Sequence, residues 1–374
     1  MQAINGSKRR FLQTVGATAA LGVAGGGVND ALVPSAKAAA APDRTLRVAM
    51  TGGTFLKIHG EKYAGEVFTA QTGIKVEYIG GYGPDTLARL VAQKGRGRPP
   101  FDVWQAEDPE VFEAIDQGLV EKANPANMPH LKDVSSNAYL VNGYVPAACG
   151  IVFGLVYRVD KFKELGLDPN SWDVLWNPKL AGRVALAGYQ VPNTQALLLA
   201  IAPNLGGNDR NLMPAIDALA KVKTHSMYSS AADLMSKVQS GEVWASYTSQ
   251  GRAVSLMQQG LPVRFSVPAN SDGTFGYGLL GVWSPVKGSP MADEAQRYID
   301  LMLSPGNQLG FALDSPYAPV SNAIAPVIAQ HPSITELALA GKSFDKIKFV
   351  KWSKEVREDR RRWSEEYTRK IGKA

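Results

Sequence analysis

The sequence predicts an α/β fold in which mainly parallel sheets are flanked by helices. Two observations lead to this prediction. Short apolar runs typical of strands recur from Leu46 onward, and segments with the apolar spacing of helices separate most of them. Strands that alternate with helices along a chain favour a parallel sheet, because the helix returns the chain to the edge where the previous strand began.

In the first region, each of three strands is followed by a helix. The strands are predicted over Leu46–Met50, Ile74–Ile79 and Phe101–Trp104, and the helices over Phe55–Thr69, Asp85–Gln93 and Asp108–Gln117. The Ile74–Ile79 strand alternates apolar and polar side chains, as a half-buried strand does. The sequence Asp108-Pro109-Glu110 is typical of a helix N-terminus, since acidic residues and proline suit the first turn.

The second region continues this alternation. Apolar runs predict strands over Gly150–Tyr157, Val184–Ala187, Val243–Tyr247, Val263–Val267 and Gly276–Trp283. Helices are predicted over Thr194–Ala202, Ala215–Val222, Ser230–Gln239, Gly251–Gln259, Asp293–Leu303 and Ser353–Ile371, with a short helix from Ser171 that ends before Pro178. The strand over Gly276–Trp283 would return the chain to the first region.

Size and composition are sufficient for two hydrophobic cores, since the chain has 374 residues and 45% are hydrophobic. Its single cysteine, Cys149, excludes an intramolecular disulfide and is expected to be a buried, unreactive thiol. The four histidines are scattered without metal-ligand spacing. With no dinucleotide, haem or cysteine-cluster motif present, the sequence predicts neither a metal nor a cofactor.

Residues 1–41 contain the three parts of a secretory signal peptide. The basic cluster Lys8–Arg10 precedes the small, apolar run Thr14–Gly27, and an alanine-rich stretch from Ser35 to Ala41 suits signal peptidase. The segment Lys8–Leu12 resembles a twin-arginine signal, although Lys8 stands for the first arginine and the general secretion route stays open. We therefore expect export to the bacterial periplasm, with the signal peptide removed.

The leader also explains much of the basic charge. It holds four basic residues and one acidic residue, which is half of the chain's formal net charge of +6. No strip of basic and aromatic residues is present in the remainder. The sequence therefore argues against a nucleic-acid partner.

Five segments carry a resemblance to a known family. They are Phe68–Val76, Pro100–Val103, Ser171–Val184, Gln239–Val243 and Ala292–Leu303. Their residues, order and spacing resemble those of the bacterial extracellular solute-binding proteins that serve ABC importers, of the polyamine, ferric-iron and thiamine type. The resemblance extends over about residues 45–325.

This resemblance implies a two-lobed periplasmic-binding-protein fold with a ligand cleft between the lobes. It places one lobe at 44–148 plus 276–322 and the other at 149–275 plus 323–374. Hinge closure around a small molecule would then deliver that molecule to the membrane permease of a cognate ABC transporter. The resemblance implies a monomeric binding protein, not an enzyme.

Candidate ligand contacts lie in the loops that follow the strands, because ligands of such sheets bind at the strands' carboxyl ends. These candidates are Thr54, Asp108, Cys149, Tyr189, Gln190, Tyr247, Gln250, Arg252, Phe275 and Tyr277. Tyr189, Tyr247, Phe275 and Tyr277 would form aromatic walls. Arg252, near a predicted helix start, would hold a carboxylate or phosphonate.

The ligand is expected to be neutral or anionic. The polyamine binders of the resembled family carry an aromatic residue and an aspartate where this chain reads Phe275-Gly276-Tyr277-Gly278. A buried diamine without carboxylates would lack the charge partners it requires. Two alternatives stay open at this point, namely a spermidine or putrescine binder and a periplasmic enzyme.

Overall fold

The computed structural model describes residues 44–52, 55–139, 146–314, 317–330, 345–349 and 352–372. The predicted signal peptide over residues 1–41 lies outside these ranges, and so does the candidate residue Thr54. The other nine candidate ligand contacts lie within them.

The strands that the structure describes belong to one sheet. They are β1 (Thr45–Met50), β2 (Lys75–Gly80), β3 (Val103–Glu107), β4 (Ala147–Arg158), β5 (Val184–Ala187), β6 (Thr224–Tyr228), β7 (Ala245–Ser249), β8 (Val263–Ser266), β9 (Phe275–Pro285), β10 (Ala318–Pro319) and β11 (Ile347–Phe349). The order across the sheet is β2-β1-β3-β9-β4-β7-β5-β6, with β8 and β10 pairing with β4 and β11 with β9.

The two ends of this sheet are parallel and its centre is antiparallel. At one end β1 pairs in parallel with β2 and β3, and at the other β5 pairs in parallel with β6 and β7. Between them the long strands β4 and β9 run antiparallel to each other, β9 also to β3 and β4 also to β7. The predicted α/β fold class is confirmed, with two parallel parts joined by crossing strands.

Helices pack on the faces of this sheet. They are a π-helix (Leu56–Gly65) continued by α1 (Glu66–Thr72), then α2 (Gly83–Gln93), α3 (Asp108–Asp116), α4 (Val159–Leu165), α5 (Pro192–Ile201), α6 (Met213–Leu219), α7 (Ala231–Gln239), α8 (Gln250–Gln258), α9 (Ala292–Leu303), α10 (Pro305–Asp314), α11 (Ala325–Ala329) and α12 (Lys354–Lys370). The segment after Ser171 forms a short 3₁₀ helix over Trp172–Trp176.

Of the described strands and α-helices, six were not predicted from the sequence, namely the strands β6, β10 and β11 and the helices α4, α10 and α11. β6 has a largely polar sequence and lies at the end of the sheet, where it pairs with β5 alone among the described strands. An edge strand with one neighbour needs less apolar surface, so its sequence pattern is weak.

Two large hydrophobic cores divide the described residues. The first contains buried residues from Leu46 to Val152 and from Leu280 to Ile347. The second contains residues from Phe153 to Leu279 and from Trp352 to Ile371, and a third, smaller core lies around Val156, Ala187 and Leu256. The change from the first core to the second therefore occurs within β4 and β9.

The described residues that follow position 323 divide among three hydrophobic cores. Ile324 and Ile328 pack with Ala312 of α10, and Ile347 lies in the first core. Of the described residues beyond 323, those that pack in the second core lie from Trp352 onward. The pairing of β11 with β9 draws residues 345–349 to the crossing strands.

Glycine allows β4 and β9 to approach closely where they cross. A Cβ atom at Gly281 would lie 2.7 Å from Sγ of Cys149. Gly276 has a φ of 45°, and a Cβ there would lie 2.8 Å from the Phe153 carbonyl oxygen. A side chain at Gly276 would therefore collide with the backbone of β4, and one at Gly281 with the thiol of Cys149.

Candidate functional site

The carboxyl ends of strands from both parallel parts converge on the crossing strands. β3 ends at Glu107, opposite Gly281 of β9, and Cys149 of β4 also lies opposite Gly281. β7 ends at Ser249, opposite Phe153 of β4. Four residues of β4 separate the two strand ends, which corresponds to about 13 Å.

On the first side, three carboxyl groups surround the start of α3. Oδ1 of Asp108 accepts a hydrogen bond from the Leu280 backbone N–H at 3.2 Å, whereas its buried Oδ2 has no partner among the described residues. Burial raises the pKa of Asp108 well above its usual value, and the nearby Glu110 and Glu107 carboxylates raise it further. Burial, aided by the charge of Glu107, raises the pKa of Glu110 to about 7.

Glu107 itself ends β3 and is half-buried. Burial raises the pKa of its carboxyl group. Among the described residues, the structure shows no ion pair and no hydrogen bond of this carboxyl group. A group in this state is stabilised when a cation reaches it, because the cation offsets the cost of burying the charge.

On the second side, Arg252 lies in the first turn of α8 and is held by a chain of hydrogen bonds. Its Nη1 donates to Oδ1 of Asn193 at 3.0 Å, and Nδ2 of Asn193 donates to the Tyr228 hydroxyl at 2.8 Å. That hydroxyl donates to the carbonyl oxygen of Tyr247 at 2.9 Å. Within the described residues the guanidinium makes no other hydrogen bond, so its remaining N–H groups are available to an anion.

Gln250, the first residue of α8, is only 2% exposed, and neither atom of its side-chain amide has a hydrogen-bond partner in the described structure. A buried amide that is left unpaired costs free energy until a ligand or water pairs with it. This side chain is therefore suited to contact a polar ligand.

Tyr317 connects the two sides. Its ring meets those of Phe55 and His59 edge-on, with centroid distances of 5.2 and 5.3 Å. Burial raises the pKa of the Tyr317 hydroxyl; the carboxylate of Glu107 raises it further and the guanidinium of Arg252 lowers it. The hydroxyl is thus within electrostatic range of an acidic group from one side and a basic group from the other.

Sequence reasoning missed Tyr317 and did not single out Glu107. Glu107 lies in the segment Gln105–Asp108 that directly follows a predicted strand, so its position at a strand end was a usable signal. Tyr317 comes from a distant part of the chain and has no local pattern that marks it.

The structure places Asp108, Cys149, Gln250 and Arg252 at this convergence of strand ends. Cys149 is buried, as expected, and burial raises the pKa of its thiol. A thiol with a raised pKa is a poor nucleophile at neutral pH.

Three of the aromatic candidates are buried in the second core, namely Tyr189, Tyr247 and Tyr277. Tyr247 and Tyr277 pack on Phe153 in the second core, with ring centroids 6.2 and 6.4 Å apart, and both hydroxyls are buried without a partner among the described residues. Tyr189 packs on Tyr367 of α12 at 5.9 Å.

Two further candidates come from the turn after β5 and from the start of β9. The Gln190 side chain is exposed in the turn after β5. Phe275 pairs with Ile347 at the far end of β9 and lies under Nζ of Lys346 at 5.6 Å. Six residues of strand, about 20 Å, separate Phe275 from Gly281 at the level of the β3 end. Two residues, about 7 Å, separate it from Tyr277, which lies opposite Phe153 at the level of the β7 end.

No group of three or more His, Cys, Asp or Glu side chains in the described part of the chain is arranged to hold a metal ion. Of the helices that the structure describes, none has the length and apolar character needed to cross a membrane.

Comparison with known proteins identifies the family. Residues 64–338 match the family model of the bacterial extracellular solute-binding proteins. The chain belongs to this family. The family resemblance predicted from the sequence is thereby confirmed, and the protein is a solute-binding protein.

Two named relatives of this solute-binding protein are known from curated sequences. The gamma-aminobutyric acid-binding protein of Pseudomonas aeruginosa is 25% identical over 297 residues, covering 76% of this chain and 79% of the relative. A periplasmic protein of Salmonella typhimurium, provisionally named for binding 2-aminoethylphosphonate, is 24% identical over 282 residues, covering 74% and 78%.

Solved structures show the same fold. An ABC transporter protein from Clostridium perfringens superposes with a TM-score of 0.73 at 21% identity, covering 87% of this chain and 99% of that one. An extracellular solute-binding protein from Bordetella parapertussis superposes with a TM-score of 0.74 at 18% identity, covering 88% and 99%.

Proposed function

We propose that this solute-binding protein is the periplasmic component of an ABC importer and that its ligand is a short ω-amino acid. Family membership supports capture of a solute outside the cytoplasm. The signal peptide predicted over residues 1–41 supports export and removal of the leader. The partner that receives the solute would be the membrane permease of the cognate transporter.

The proposal includes two lobes that close around the ligand. The change of hydrophobic core within β4 and β9 supports a hinge at these crossing strands. It also supports the lobe division predicted at residues 148 and 276, with the C-terminal segment from Trp352 assigned to the second lobe.

The ligand class follows from two independent arguments. The relatives are named for gamma-aminobutyric acid and 2-aminoethylphosphonate, and each of these molecules has an ammonium group at one end of a short chain and an acid at the other. Such a zwitterion has little net charge, which agrees with the neutral or anionic ligand expected from the sequence.

The side chains at the strand ends match both ends of such a molecule. The free N–H groups of Arg252 would bind the carboxylate or phosphonate. The carboxylate of Glu107 would pair with the ammonium, and Tyr317 lies within electrostatic range of both groups. The observation that carries the proposed ligand class is the placement of an acidic and a basic side chain at two strand ends that meet the same crossing strands: Glu107 ends β3, and Arg252 lies in the first turn of α8, directly after β7.

A polyamine is a poorer match. Its two ammonium groups would require two carboxylates, and one end would instead face the guanidinium of Arg252. Like charges in a site of low dielectric constant repel strongly. The family consists of binding proteins, so the proposal includes no chemical step.

The test uses three ligands of similar length. Calorimetric titration is expected to show binding of γ-aminobutyrate, with butyrate and putrescine each at least about 10-fold weaker because each lacks one charged end. Equal binding of γ-aminobutyrate and butyrate would remove Glu107 from the site. Preference for putrescine would overturn the proposal in favour of a polyamine binder.

The affinity for γ-aminobutyrate is expected to fall as the pH is lowered through the raised pKa of Glu107. The reason is that an ammonium pairs with the carboxylate and not with the protonated acid. The variant Glu107→Gln should bind weakly at every pH and lose most of this pH dependence. A pH profile that is the same in both proteins would show that another group controls binding.

A further inference from the structure

Tyr82 is unusual in its exposure. Among the described residues it is the most exposed large hydrophobic side chain, at 72%, and Val91 follows at 41%. Tyr82 comes two residues after β2 ends at Gly80, which pairs with Met50 at the end of β1. Because β1 lies between β2 and β3, these ends lie side by side with the end of β3, which carries Glu107.

The backbone of Tyr82 is held rigidly, although its side chain is free. The carbonyl oxygen of Tyr82 accepts hydrogen bonds from the backbone N–H of Thr86 at 3.1 Å and from its hydroxyl at 3.0 Å. That hydroxyl is buried and accepts a hydrogen bond from Nε1 of Trp104 in β3 at 2.8 Å. The position of Tyr82 is therefore linked to the strand that ends at Glu107.

Close packing on both sides of Tyr82 also restrains the loop. A Cβ atom at Gly81 would lie 2.9 Å from Cγ2 of Thr86, and one at Gly83 would lie 3.3 Å from Cγ of Glu110. The loop therefore combines a fixed backbone with an aromatic ring in solvent. Pre-organisation of this kind lowers the entropy lost when a ring covers a ligand.

We propose that Tyr82 covers the methylene segment of the bound ω-amino acid and selects for the length of that segment. The inference rests on the proposed ligand class. Adjacent strands are about 4.8 Å apart, so the end of β2 is about 10 Å from the end of β3, and the side chain of tyrosine spans most of this distance. With the ammonium paired to Glu107, the carbon chain lies beside the ring.

The variants Tyr82→Ala and Tyr82→Phe test this inference by titration with γ-aminobutyrate and with β-alanine, which is one methylene shorter. Tyr82→Ala is expected to weaken γ-aminobutyrate binding about 10-fold, because apolar area stays in water. It should also reduce the difference in affinity between γ-aminobutyrate and β-alanine. Tyr82→Phe should keep both the affinity for γ-aminobutyrate and the preference between the two ligands within about twofold of the unaltered protein, since the ring remains.

Val91→Ala is the matched control, because it removes an exposed hydrophobic side chain in the last turn of α2, at the end of that helix away from Tyr82. It is expected to leave binding and length preference unchanged. In addition, γ-aminobutyrate should slow the nitration of Tyr82 by tetranitromethane, as measured by mass spectrometry.

The outcomes separate this inference from the proposed function. If the unaltered protein bound neither ligand, both would be overturned. If the unaltered protein bound γ-aminobutyrate and Tyr82→Ala bound it equally well, this inference alone would be wrong. Normal binding with reduced uptake by cells carrying Tyr82→Ala would assign the ring to the membrane permease instead.

Discussion

Replacing Arg252 with alanine is expected to weaken binding of γ-aminobutyrate by about 100-fold or more. A guanidinium that binds an acid through two charge-assisted hydrogen bonds contributes about 3 kcal/mol, and a factor of ten in affinity corresponds to about 1.4 kcal/mol. In this protein the guanidinium is already oriented by Asn193. The substitution therefore removes a positioned partner for the acid.

Two further variants make this result specific. Arg252→Lys keeps the charge but not the planar arrangement of donors, so it should restore only part of the affinity. Arg89→Ala removes an exposed arginine of α2 and should have no effect on binding. Thermal unfolding of each variant shows whether the fold is retained. Unchanged affinity in a folded Arg252→Ala protein would exclude Arg252 from the site.

Glu110 is expected to make the folded protein less stable as the pH rises from about 5 to about 8. Burial raises the pKa of its carboxyl group from 4.5 to about 7, so the folded state favours the protonated acid. A carboxyl with a raised pKa contributes stability below its unfolded value, and this contribution is lost as the pH rises through the folded value. For Glu110 the loss amounts to about 3 kcal/mol.

Urea denaturation at several pH values measures this effect. Glu110→Gln resembles the protonated acid and should remove about 3 kcal/mol of the decline in unfolding free energy between pH 5 and pH 8. Glu107 and Asp108 also have raised pKa values, so part of the decline should remain. Glu61→Gln, which changes an exposed carboxylate, should keep the full decline. The same full decline in Glu110→Gln would show that Glu110 is not buried as a protonated acid.

The sequence could predict local elements because their patterns depend on neighbours in the chain. Alternating apolar runs and helical segments identified β1, β5 and α3 closely, including the start of α3 at Asp108. The same logic placed Asp108, Gln250 and Arg252 at the strand ends, since ligand contacts follow parallel strands. β6 was missed because a polar edge strand leaves little pattern.

The aromatic candidates show where such reasoning stops. Tyr247 and Tyr277 follow the expected spacing of strand residues, yet both lie in a core with Phe153. Helices cover both faces of this sheet, so alternation along a strand does not tell which face contacts the ligand.

The sequence alone determined the α/β class and the family and predicted the loops from which ligand contacts are expected, because each of these depends on patterns within short stretches of chain. Only the tertiary structure brought Glu107 and Arg252 to strand ends on the same crossing strands, each within electrostatic range of Tyr317. These three residues come from segments separated by dozens of positions, and the register of β3, β4, β7 and β9 decides which strand ends meet. That register depends on packing across the whole sheet, which no local pattern contains.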